Sequence, residues 1–225
     1  MLIPSSDIQD FGFCENIFLN VTKCYFYISH FFLMFNKTSE YYIMSLSQQL
    51  PGERLKNFSN VWEHFNAPPD IQRFIQTGHK IHFETKPALT LPSKEYETRL
   101  STEQTRIVKQ EVDELVMKKA MRVVSRQEAI KSLGHYSQVF VVPKPNGKHR
   151  VIINMKPLNK HIVKETFSME SCKEVRTTLR PEGWASVVDL SDAYYLVSID
   201  KKDRKYCRFI FQGKIYEYNA LPMGL

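Results

Sequence analysis

The feature that most limits what this chain can fold into is the stretch from Ser137 to Asn154. The run SQVFVV (Ser137 to Val142) is followed by PKPNGK (Pro143 to Lys148) and then by RVIIN (Arg150 to Asn154). Val, Ile and Phe at these positions favour extended backbone, and the Asn-Gly pair supplies the positive φ that a tight reversal needs, so the stretch is predicted to be a β-hairpin. A second hairpin is expected from YCRFIF (Tyr206 to Phe211), Gln212-Gly213 and KIYEY (Lys214 to Tyr218). Between them, WASVVDL (Trp184 to Leu190) reads as an apolar strand ending in a carboxylate, with Ser191 to Tyr195 turning away from it.

Helical signals lie upstream. Leu55, Phe58, Val61, Trp62 and Phe65 fall on one face of a helix that Pro68-Pro69 is expected to end. Residues 76–98 contain two prolines, Pro87 and Pro92, and short apolar runs, which suits an extended arm. Ser101-x-x-Gln104 matches a capping box, and the apolar positions Ile107, Val108, Val112, Leu115, Val116 and Met121 carry the helical period to about Arg122. Residues 1–50 differ from all of this: they hold 11 aromatics, two bases and four acids, with no sustained period. The expected organisation is a poorly specified aromatic-rich extension (1–50), a helical and extended region (51–125), and a unit built on the two hairpins (126–225).

Composition narrows the function classes. With 225 residues and four cysteines that are far apart in sequence, the chain is neither a disulfide scaffold nor a clustered zinc module, and reduced thiols in an intracellular compartment, cytoplasmic or nuclear, are expected. The longest apolar run, Cys24 to Asn36, is too short to span a bilayer and contains a His, so no membrane partner is expected. A formal charge of +7 favours a polyanion. The bases cluster: no acid occurs between Glu128 and Glu165, whereas Lys131, Lys144, Lys148, Arg150, Lys156, Lys160 and Lys164 all lie there. Such a field suits phosphate binding, although a run of bases is also what a plain solvated face looks like.

A carboxylate at the end of a strand, exposed at a turn, is where many enzymes place a metal ligand, and Asp189 sits there; on its own it could equally be a turn residue. Read together with the basic hairpin and the ending Leu221-Pro-Met-Gly-Leu225, the run VVDLSDAYYLVSIDKKDRKY (Val187 to Tyr206) resembles the fingers and first palm segment of a reverse transcriptase. Asp189, Asp192, Ala193 and Tyr194 match the palm motif, and Lys144, Arg150, Lys156, Leu158 and Asn159 match the fingers motif. The stretch Tyr136 to Ile162 is most similar to retrotransposons of the DIRS-like, tyrosine-recombinase group.

The resemblance implies an α+β fold with right-hand polymerase fingers and an incomplete palm, preceded by the helical and extended region. It implies RNA-directed DNA polymerisation, with an RNA template, a DNA primer and deoxynucleoside triphosphates as partners and two magnesium ions as cofactors. By the same likeness, Asp189 with the Leu190 carbonyl would hold metal, and Lys144 and Arg150 would meet the β- and γ-phosphates. The backbone amides of Asp192 and Ala193 would cradle the triphosphate, and the Tyr194 ring would exclude a 2′-hydroxyl. The family completes its metal site with Tyr-x-Asp-Asp, a tetrad absent from these 225 residues. The missing palm, thumb and ribonuclease H regions would lie elsewhere in a polyprotein, and the chain alone is expected to be inactive. The alternative is a non-catalytic RNA- or DNA-binding protein derived from a retrotransposon.

Overall fold

The computed structural model describes residues 50–145, 147, 149–164 and 192–225. The aromatic-rich extension and the strand expected over Trp184 to Leu190, with Asp189 and Leu190, lie outside the described residues. A short 3₁₀ turn (Arg54–Phe58) leads into α1 (Ser59–His64), followed by α2 (Pro69–Thr77), an extended stretch with one 3₁₀ turn (Lys94–Tyr96), and α3 (Thr102–Met117). Then come β1 (Met121–Val124), α4 (Arg126–Lys131), β2 (Tyr136–Ser137), β3 (Val139–Pro143), β4 (His149–Ile153) and α5 (Lys156–Asn159). After the undescribed stretch, 3₁₀ turns Ala193–Leu196 and Arg204–Tyr206 precede β5 (Arg208–Phe211) and β6 (Lys214–Tyr218).

Among the described residues there are two sheets. β3 and β4 form the expected antiparallel hairpin, with Val139 opposite Ile153 and Val142 opposite Arg150. The other sheet runs β1-β6-β5-β2, antiparallel except for the parallel β2–β5 pair. The β5–β6 connection is the expected two-residue reversal. Gln212 (φ 49°) and Gly213 (φ 69°) both take the left-handed backbone that matches the twist of the flanking strands.

α3 begins as its sequence dictates: the Ser101 hydroxyl accepts from the Gln104 amide at 3.2 Å, and the Gln104 side chain accepts from the Ser101 amide at 3.0 Å. It stops at Met117, earlier than its periodicity predicts. The Lys119 amide donates to Val116 O, the Ala120 amide donates to Leu115 O, and Lys119 between them has φ 60°. That is the two-bond C-terminal lock usually built on glycine, here carried by lysine, which is why no sequence signal marked it. Met121 and Arg122 therefore belong to β1, opposite Tyr218 and Glu217.

The helix expected over residues 55–65 is a 3₁₀ turn followed by a single α segment. It is closed by the same lock, with Asn66 (φ 51°) in the left-handed position and Ala67 N–H donating to Trp62 O. Trp62 is buried but Phe65 turns outward. Pro69 does not end this helix; it opens α2, where its missing N–H costs nothing. The run expected as one strand over 137–142 is split at Gln138 because Ser137 pairs with β5 and Val139 with β4.

The main core lies between α3, the hairpin and one face of the four-stranded sheet. Val108, Val112 and Leu115 of α3 meet Val139, Ile153, Leu158, Phe209, Tyr216 and Tyr218. Alternation along β5 and β6 sends Ile210 and Ile215 to the opposite face, against Val124, Ala129 and Tyr136. Arg208 and Glu217 share that second face, fully buried and paired at 2.7 Å. A smaller cluster of Trp62, Ala67, Ile71 and Ile75 fastens the first two helices together.

Candidate nucleotide and nucleic-acid site

The turn after the undescribed stretch is built on Asp192. Its backbone is left-handed (φ 57°, ψ 26°), and its carbonyl accepts from the Tyr195 amide at 2.9 Å, which starts the 3₁₀ turn. Tyr194 is half-buried against the main core, and that burial pushes its phenol upward. Tyr195 packs against the same core; burial, then Glu111 and Asp192, push its phenol upward as well. Both rings thus line a single apolar wall rather than pointing to opposite sides, because the backbone is helical here and not extended.

The Asp192 carboxylate meets the Lys118 ammonium at 2.8 Å, and Lys118 also meets Glu114 at 2.6 Å. Burial pulls Lys118 down, but the two carboxylates outweigh it and hold the ammonium well above its ordinary value. The basic hairpin packs against α3 through Val139 and Ile153. Glu111, half-buried on that helix, is pushed up by burial and by Glu114 and Asp192, while Lys118 and Lys144 pull it down. Lys144 sits just after β3, in the hairpin turn. Its carbonyl accepts from the Gly147 amide at 3.0 Å, closing the hairpin turn. Arg150 is exposed on β4, opposite Val142.

Asp192, Ala193, Tyr194, Lys144 and Arg150 are thus all on described, defined turns or strands. The carboxylates of Asp192, Asp200, Asp203 and Glu114 are each already engaged. Asp192 is engaged by Lys118, Asp200 accepts from the Lys202 amide at 2.9 Å, Asp203 accepts from the Ile81 amide at 3.0 Å, and Glu114 is in the Lys118 pair. Among the described residues no group of three or more His, Cys, Asp or Glu converges on a metal position. The described side chains do not by themselves make a magnesium cage, and the two expected ligands, Asp189 and Leu190, fall outside them.

Sequence reasoning passed over Lys118, which sits in an unremarkable Lys-Lys pair, and over the link from Asn159 to the chain end. Asn159 Nδ2 donates to Gly224 O at 2.8 Å and so ties the fingers motif to the Leu221–Leu225 loop. The Leu-Pro-Met-Gly-Leu ending had been noticed as a motif, but a hydrogen bond to its backbone leaves no mark in sequence.

Residues 142–225 match the family described as "Reverse transcriptase (RNA-dependent DNA polymerase)". Over these residues the chain is similar to a segment of a reverse transcriptase domain. The Transposon Tf2-3 and Tf2-4 polyproteins of Schizosaccharomyces pombe (strain 972 / ATCC 24843) are each 26% identical to the chain over 87 residues, which is 39% of this chain. The matched part spans 6% of the length of those polyproteins. Among solved structures, the foamy viral protease-reverse transcriptase in complex with dsDNA aligns over 76% of this chain and 38% of its own, with a TM-score of 0.50 and 18% sequence identity. At that identity the likeness speaks for the fold, a reverse transcriptase fingers and palm arrangement. In sequence this segment is similar to reverse transcriptase domains, among them those of retrotransposon polyproteins, and the Lys144 hairpin, the Asp192 turn and the Leu221–Leu225 loop all lie within the matched residues.

Proposed function

We propose that this reverse transcriptase segment holds the incoming deoxynucleotide and the template for RNA-directed DNA synthesis, within an element of the DIRS-like, tyrosine-recombinase group. The observation that carries the reading is that α3 supports both features: the basic β3–β4 hairpin packs on it through Val139 and Ile153, and its end holds the Asp192 turn through Lys118. In this reading Lys144 supplies a point charge and Arg150 a planar fork to the β- and γ-phosphates. The amides of Asp192 and Ala193 form the anion-binding nest, and the small Ala193 lets the backbone approach. The Tyr194 ring, fixed against the core, forms the floor under the sugar and excludes a 2′-hydroxyl. Asp189 and the Leu190 carbonyl are the proposed magnesium ligands; magnesium, when bound, supplies the charge that activates a primer hydroxyl and stabilises pyrophosphate. Among the described residues no group of three or more His, Cys, Asp or Glu could hold a metal ion, and the sequence has no Tyr-x-Asp-Asp, so the 225 residues alone are proposed not to polymerise.

The alternative, a non-catalytic RNA- or DNA-binding protein, draws on the same basic hairpin. The test is binding of a primer–template duplex and of a deoxynucleoside triphosphate by the full chain across a salt series, alongside primer extension. Lys144→Ala and Arg150→Ala should weaken binding and each lower the salt slope by about one. If both leave affinity and slope unchanged, the phosphate reading is wrong. A protein that only binds nucleic acid should be indifferent to Asp189→Asn and to added triphosphate. Measurable primer extension by the chain would overturn the proposed inactivity.

A further inference from the structure

Three segments distant in sequence meet at the end of α3. Lys118 occupies the cap position, and its ammonium spans Glu114 one turn back and Asp192 on the candidate nucleotide turn. The upstream chain presses on the same place. Gly52 N–H donates to Lys118 O at 2.9 Å, and a Cβ on Gly52 would stand 2.3 Å from the Lys119 carbonyl carbon, so only glycine fits. One residue on, Glu53 N–H donates to Tyr195 O at 2.9 Å. The backbone of Lys118 is thus fixed by Gly52 and by the locked helix end, while the far side of the Asp192 turn is held by Glu53. Among the described residues the polar side-chain tie between helix end and turn is the Lys118–Asp192 pair, with side chains only 23% and 30% exposed.

We propose that Lys118 is a positioning residue for the nucleotide site, clamping the Asp192 turn so that the amides of Asp192 and Ala193 and the ring of Tyr194 present one fixed geometry. The proposal rests on the nucleotide reading above. Asp192 is in a left-handed conformation, which carries a steric cost for any residue with a Cβ although Asp tolerates it better than most, and among the described residues the Lys118 ion pair is what holds its side chain. A merely structural role is the competing account, since a cation at a helix C-terminus also favours the helix dipole. That role would act on α3, whereas a clamp acts on the turn.

The test compares the full chain with its Lys118→Met, Lys118→Arg, Asp192→Asn and Lys118→Met/Asp192→Asn variants. Two readouts are used: backbone amide hydrogen exchange, and equilibrium binding of dTTP. For Lys118→Met, exchange at the Tyr195 and Val197 amides should rise about tenfold and dTTP should bind about five- to tenfold more weakly, the worth of a charge-assisted pair largely withdrawn from water. Exchange at Val112 and Leu115 should stay unchanged. Lys118→Arg should recover most of both effects, and the double variant should be no worse than the worse single one. Unchanged exchange at Tyr195 and Val197, or an equal rise along α3, overturns the clamp. Weaker dTTP binding without a local exchange change also overturns it, because Lys118 would then touch nucleotide directly. Failure of the unmodified chain to bind dTTP overturns the nucleotide reading instead, and the two failures are separable because the exchange readout needs no nucleotide.

Discussion

Glu217→Leu should be among the most destabilising single changes in this chain, and the reason is an asymmetry in how its two arginine partners are buried. The Glu217 carboxylate accepts from Arg122 Nε at 2.9 Å and Nη2 at 2.6 Å through one oxygen, and from Arg208 Nε at 2.7 Å through the other. Glu217 and Arg208 are 3% and 2% exposed, whereas Arg122 is 40% exposed and also meets Glu128. Removing Glu217 leaves Arg122 with water and a second carboxylate. Among the described residues Arg208 keeps the Ser132 carbonyl, at 2.6 Å, and the neighbouring Tyr136 side chain, neither of them charged, and it cannot reach solvent. An uncompensated buried charge costs about 3–5 kcal/mol, while loss of a half-exposed pair costs under about 1 kcal/mol. Leucine retains apolar volume, so no large cavity confuses the comparison. In urea unfolding of the full chain, Glu217→Leu should lower the midpoint by about 2 M at an ordinary slope, and Arg122→Leu by well under about 1 M. The double variant Arg208→Met/Glu217→Leu should recover most of the loss, because neither charge is then stranded. If Glu217→Leu costs no more than Arg122→Leu, or the double variant is additive, the stranded-charge argument is wrong.

Three further outcomes follow from local geometry. Lys119→Gly should raise stability by about 0.5–1 kcal/mol, since glycine takes the left-handed position at the end of α3 without a Cβ penalty; thermal or urea unfolding checks the sign. Ser101→Ala removes the hydroxyl half of the capping box and should cost about 1 kcal/mol, seen in the same unfolding measurement. Burial, and then the nearby His82, depress His79 to about 4, below its ordinary 6.5. The unfolded chain therefore takes up a proton first as pH falls, so stability present above about 6.5 should be lost between there and about 4, by up to on the order of 3 kcal/mol. Unfolding midpoints between pH 7 and 4.5 should show this slope, and it should shrink in His79→Leu.

Much of the fold is legible locally. The β3–β4 and β5–β6 hairpins follow from β-branched and aromatic runs around short turns, and the start of α3 follows from Ser101 and Gln104, because each depends on residues a few positions apart. The basic hairpin and the Asp192-Ala-Tyr turn were legible for the same reason, as compact motifs. Helix ends were not. Lys119 closes α3 in a conformation its residue type does not announce, Asn66 closes α1 as asparagine often does although Pro68-Pro69 beside it drew the expectation, and Pro69, expected as a stop, starts α2. The apolar pattern past Met117 continued in phase with the helix although Met121 faces the core from a strand, since a residue buried by either element reads the same.

Sequence alone therefore determined the hairpins, the α3 cap and the cluster of bases around Lys144 and Arg150, all set by neighbouring residues. Tertiary structure alone decided which charges meet. Arg122 and Glu217 are 95 residues apart and meet because β1 pairs with β6, and Lys118 reaches Asp192 because α3 ends where the later turn packs. Whether such a residue is a solvated charge, a buried pair or a clamp depends on burial and on a partner supplied by another part of the chain, and no local pattern of residues encodes either.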